Sequence, residues 1–79
     1  MYKTKIFFKT LADVKEFVNA VSKYDNLEIN LVSDIYTMNA HSLIGILSLN
    51  IADPIVLEVP SDNIPEQFYD DVKPYLAVD

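Results

Sequence analysis

A chain of 79 residues that is 51% hydrophobic, with one glycine and no cysteine, is the length of one domain, too apolar for a disordered chain, and closed to disulfide, thiolate-metal and cysteine-nucleophile chemistry. Six lysines and no arginine against twelve acidic residues leave a net charge of −6, which speaks against nucleic acid and anionic membrane surfaces as partners and removes the usual bidentate clamp for phosphate. The longest mainly apolar stretch, Leu43 to Ile51, is too short to cross a bilayer, and no leader pattern follows Lys3 and Lys5, so a cytoplasmic location is expected.

In chain order, Tyr2 to Phe8 alternates as a strand, with Tyr2, Thr4, Ile6 and Phe8 on one side. Thr10 is placed to cap a helix whose stripe is Leu11, Val14, Phe17, Val18 and Val21, with Asp13 near its positive end. This helix runs to about Tyr24, where Asp25-Asn26 supplies turn chemistry. Leu27, Ile29 and Leu31 alternate as a second strand, Ser33-Asp34 turns the chain, and Ile35 to Ala40 forms a third, shorter strand. Ser42 caps a short helix, Leu43 to Leu49, which holds the single glycine, Gly45. Asp53-Pro54 turns into a fourth strand, Ile55 to Val59, ended by Pro60. Ser61-Asp62-Asn63 is expected to cap the last helix, with Pro65 in its first turn, a stripe of Ile64, Phe68 and Val72, and Pro74 ending or kinking it. The pattern describes a single α+β domain over residues 1–79, a four-stranded and mostly antiparallel sheet covered on one face by two longer helices.

Few residues carry chemistry. His41 is the only histidine; alone and without cysteines it makes a poor metal site, and it reads as a partly exposed residue preceding a helix cap. Thr10 reads as a cap, and Glu66, Asp70 and Asp71 as a solvated helix face, since no base or nucleophile accompanies them. No cofactor or metal is expected. The short helix is different: Leu43, Ile44, Ile46, Leu47 and Leu49 crowd about two turns, which cannot bury every side, so part of this helix is expected to be a partner surface.

Two segments, Ser22-Lys23-Tyr24-Asp25 and Met38-Asn39-Ala40-His41-Ser42-Leu43-Ile44-Gly45-Ile46-Leu47-Ser48-Leu49-Asn50-Ile51, resemble the HPr family, the bacterial phosphocarriers of the sugar phosphotransferase system. The element order agrees along essentially the whole chain, although Asn50 stands where the family has a glycine. The resemblance implies an HPr-like open-faced β-sandwich. It also implies that the outer face of the short helix, here Leu43, Ile44 and Leu47, docks a phosphotransferase-system protein or a transcriptional regulator; apart from the resemblance, the apolar helix also allows a weak homodimer. In Gram-positive members the serine matching Ser42 is phosphorylated by a dedicated kinase. The family's active-site motif is absent. Thr10 falls at the position of the phosphoaccepting histidine, Ala12 at that of the phosphate-steadying arginine and Asp13 at that of a proline, and the preceding loop is shorter. The expectation is therefore a non-enzymatic regulatory or protein-interaction module; the alternatives are a phosphocarrier that uses His41 or a regulator phosphorylated on Ser42.

Overall fold

A computed structural model describes residues 1–33, 36–49 and 51–77. It runs β1 (Tyr2–Ile6), α1 (Leu11–Val21), β2 (Asn30–Ser33), β3 (Tyr36–Asn39), α2 (Leu43–Leu47), β4 (Ile55–Val59) and α3 (Glu66–Val72), with a 3₁₀ turn after α1 at Ser22–Tyr24 and another after α3 at Lys73–Tyr75. The strands form one sheet in the order β1-β4-β2-β3, and every one of these pairings is antiparallel. This is the α+β open sheet that the element order predicts.

Strand alternation decides which face is covered. Thr4, Leu57, Leu31 and Met38 stand in register across the four strands. On this face Ile6, Leu31, Ile55, Leu57 and Val59 are fully buried. The opposite face carries Lys3, Glu58, Asn30 and Asn39 in one cross-strand row, with a long Lys3–Glu58 ion pair at 4.0 Å. Against the apolar face α1 contributes Val14, Phe17 and Val21, α2 contributes Ile46, and α3 contributes Phe68 and Val72. Aromatic edges join the helices, their 3₁₀ turns and the segment after β1, with Phe8–Phe17 at 5.3 Å, Phe17–Tyr75 at 5.4 Å and Tyr24–Phe68 at 5.4 Å between ring centroids, and Tyr2 of β1 meets Phe68 at 6.4 Å. Among the described residues no helix is long and apolar enough to cross a membrane.

The structure departs from the sequence reading at the element ends. β1 stops at Ile6 because the chain there leaves β4, and Phe7 pairs instead with the carboxy-terminal segment, its N–H donating to the Tyr75 carbonyl at 2.8 Å. Residues 27–29, expected to open the second strand, precede β2: Leu27 is still held in the turn by the Tyr24 carbonyl at 2.9 Å. The short helix ends at Leu47, where the Ser48 N–H caps it on the Gly45 and Ile46 carbonyls. Ser61-Asp62-Asn63 does not cap α3, whose N-cap is Pro65 with no side-chain bond. Ser61 Oγ accepts the Asn63 N–H at 3.1 Å in a local turn, and Asp62 binds the amino terminus at 3.0 Å. Leu11 is not part of the buried stripe of α1, which begins a turn later at Val14; Leu11 stays 60% exposed. Asp34, Ile35 and Asn50 lie outside the described residues, and with them part of the Ser33-Asp34 turn and the first residue of the expected third strand.

Candidate functional site

Two helix beginnings hold the residues of interest. At α1 the Thr10 hydroxyl accepts the Asp13 N–H at 3.3 Å, while the Asp13 carboxylate turns back and accepts the Lys9 N–H at 2.9 Å. The capping bonds expected of Thr10 are therefore present, and a carboxylate already occupies the positive end of the helix. An incoming phosphoryl group would meet that negative charge.

At α2 the Ser42 hydroxyl accepts the Gly45 N–H at 3.1 Å, as its position predicts. Gly45 has a spatial role here. A Cβ on it would fall 3.0 Å from Ser42 Oγ and 3.4 Å from Ser42 Cβ, so any larger residue pushes on the cap. His41 sits just before the cap, half-buried, its N–H donated to the Asn39 side-chain oxygen at 2.8 Å. Its ring Nε2 lies 3.3 Å from the Leu27 carbonyl oxygen, a hydrogen bond for the tautomer that carries its proton on Nε2. That bond ties the loop before β2 to the loop before α2.

The three residues assigned to the outer face of α2 are divided by the structure. Ile44 is 82% exposed and Leu47 44% exposed, whereas Leu43 is half-buried and packs on the core. Leu11 was missing from that set. α2 leads into β4, whose first residue, Ile55, pairs with the last residue of β1, Ile6, and α1 departs from that same end of the sheet. α1 and α2 pack on each other in the helix layer, and each leaves a leucine exposed, Leu11 and Leu47. The signal was available in the sequence: a leucine immediately after a cap, about a turn ahead of Val14, has no turn of its own helix before it to cover it.

The acidic residues of α3 separate as well. Glu66 and Asp70 are exposed, while Asp71 accepts the Tyr24 hydroxyl at 2.5 Å and pairs with Lys23 at 2.9 Å. These partners hold the Asp71 carboxyl below the ordinary carboxylate range, the Tyr24 hydrogen bond contributing most. Partial burial, followed by the bond to Asp71, pushes the Tyr24 phenol up to about 12. The arrangement is a clasp between the 3₁₀ turn after α1 and α3. Neither the protein-family models nor the curated proteins nor the solved structures include a match to this chain.

Proposed function

We propose that this chain is an HPr-like, cytoplasmic interaction module of the sugar phosphotransferase system, one that docks a protein partner through the outer face of α2 and does not carry phosphohistidine. The observation that bears most on this reading is the apolar surface at α2. Ile44 is 82% exposed on a five-residue helix, with Leu47 one turn further along it, and Leu11 is exposed on α1. Burying such side chains against a partner stabilises a complex by roughly 1.5–3 kcal/mol each. The second support is at α1, where Thr10, at the position of the resembled family's phosphoaccepting histidine, is engaged as a cap and the Asp13 carboxylate lies in the same first turn.

The test is a titration of isotope-labelled protein with the amino-terminal domain of enzyme I, the partner that the resemblance implies. Amide signals of Leu43 to Ser48 and of Leu11 to Asp13 shift on binding, and Ile44→Glu removes the response while its own spectrum remains that of a folded protein. An unchanged wild-type spectrum at saturating partner concentration, or binding that survives Ile44→Glu, contradicts the proposal.

One observation favours a regulatory refinement. Ser42 is exposed at the cap of α2, and a phosphate there would place charge next to Ile44. Intact mass measured after incubation with the serine kinase of the family and ATP decides this: an added phosphate that weakens the titration response supports it, and an unchanged mass beside a labelled authentic carrier removes it.

A further inference from the structure

The two edges of the sheet are finished differently. On β1 the outward groups are partly taken up by the chain itself. The Phe7 N–H donates to the Tyr75 carbonyl at 2.8 Å and the Ala77 N–H to the Lys5 carbonyl at 2.9 Å, with Leu76 bridging to Ile6. Lys3 and Lys5 add exposed charge to that edge. These are devices that keep an edge from pairing with another chain. β3, at the other end of the sheet, is barer: among the described residues, the Asn39 carbonyl is the outward group that the chain itself is seen to take up. Its residues, Tyr36, Thr37, Met38 and Asn39, include no charge and no proline.

The backbone alternation along β3 is fixed by the Ala40 N–H, which donates to the Ile29 carbonyl at 2.9 Å. In the register Asn30–Asn39, Leu31–Met38, Val32–Thr37 and Ser33–Tyr36, this turns the backbone groups of residues 36 and 38 toward β2 and those of Thr37 and Asn39 outward. The Asn39 carbonyl is used locally, by the Ser42 N–H at 3.0 Å. Thr37, an exposed residue, therefore presents both its N–H and its C=O along the open edge.

From this geometry we infer that a second copy of this chain pairs with the β3 edge, antiparallel, about a two-fold axis at Thr37. The pairing is self-complementary. Each Thr37 N–H donates to the other copy's Thr37 carbonyl, forming a hydrogen-bonded pair. Tyr36 of each copy then stands opposite Met38 of the other at the non-hydrogen-bonded positions, where side chains approach most closely. Tyr36 is 59% exposed, and its ring is offered a methionine sulfur, a favourable contact. Neutrality along the strand lets two molecules of net charge −6 meet at the one edge where like charges do not oppose each other. A four-residue contact makes a weak dimer, one that forms and dissociates with concentration.

This inference is independent of docking at α2, and sedimentation of four proteins keeps the two apart. Over about 10 μM to about 1 mM, the unmodified protein sediments as a monomer–dimer equilibrium. Thr37→Pro removes the outward N–H without touching the bonds to β2, and Thr37→Lys sets two positive charges against each other across the axis; both remain monomeric, with thermal midpoints within a few degrees of the unmodified protein. Leu47→Glu dimerises like the unmodified protein. If Thr37→Pro does not fold, Thr37→Lys alone carries the test. A monomer throughout the range, a dimer that persists in Thr37→Lys, or a dimer lost in Leu47→Glu overturns the pairing.

Discussion

Ser42 and Gly45 form a cap in which each residue constrains the other. The Ser42 hydroxyl satisfies the Gly45 N–H at 3.1 Å, and the missing Cβ of Gly45 leaves room for that hydroxyl. Ser42→Ala is expected to lower the unfolding free energy by about 1 kcal/mol, the usual loss for a removed cap, read from urea denaturation at constant slope. An unchanged midpoint would mean that water replaces the hydroxyl without loss. The Tyr24–Asp71–Lys23 clasp makes a second, pH-dependent prediction. Asp71 titrates below its unfolded value in the folded chain, so its contribution is complete above the unfolded carboxylate value of about 3.9 and is lost as pH falls through the lower folded value. Tyr24 titrates above its unfolded value, at about 12. Its contribution is therefore present below about pH 10 and lost as pH rises from there toward the folded value. Tyr24→Phe should cost about 1.5 kcal/mol at neutral pH, the low end for a hydrogen bond to a charged group because the pair is only partly buried. It should also flatten the alkaline loss of stability. A variant with the same alkaline profile as the unmodified protein would show that the clasp contributes nothing there.

At the scale of elements, α2 has a core side and a solvent side within five residues. Ile46 is fully buried and Ile44 is 82% exposed. Ile46→Ala should cost about 2–5 kcal/mol, whereas Ile44→Glu and Leu47→Glu should each stay within about 1 kcal/mol of the unmodified protein, as read from thermal midpoints. A large loss in Leu47→Glu would assign that residue to the core and remove half of the proposed docking surface. The contrast also marks where sequence is a sufficient guide. Helical spacing identified Val14, Phe17 and Val21, and strand alternation identified Ile55, Leu57 and Val59, because a two-sided pattern several residues long leaves one solution. It could not divide Leu43, Ile44, Ile46 and Leu47. Nearly every position of α2 is apolar, and which of them faces inward is set by the approach of β3 and α1 rather than by a local pattern. The α3 cap failed for a related reason. Ser61, Asp62 and Asn63 are all good cap residues, but Pro65 fixes where helical geometry begins, and the polar residues before it are used by their own turn and by the amino terminus. Leu11 shows the limit of a stripe: the helical period admits it, but the end of the helix leaves it uncovered.

On the scale of the whole molecule, the helices, the covered sheet face and the aromatic contacts between them form a single packed body of 30 × 24 × 23 Å. Its chemistry is sparse: one histidine, no arginine, no cysteine and a net charge of −6. We propose that this α+β fold supports docking without carrying phosphate on histidine. A carrier must accept phosphate on an imidazole nitrogen and hold the added charge with placed donors. At α1 this chain has Thr10 engaged as a cap and Asp13 already at the helix end, and His41 sits in a separate loop with its Nε2 against the Leu27 carbonyl. The most direct measurement is incubation with enzyme I and labelled phosphoenolpyruvate, with an authentic HPr in parallel, followed by acid treatment of the isolated chain. The account predicts no acid-labile label on this chain while the control is labelled fully. Stoichiometric acid-labile label on this chain that disappears in His41→Ala would contradict it and move the active centre to the start of α2.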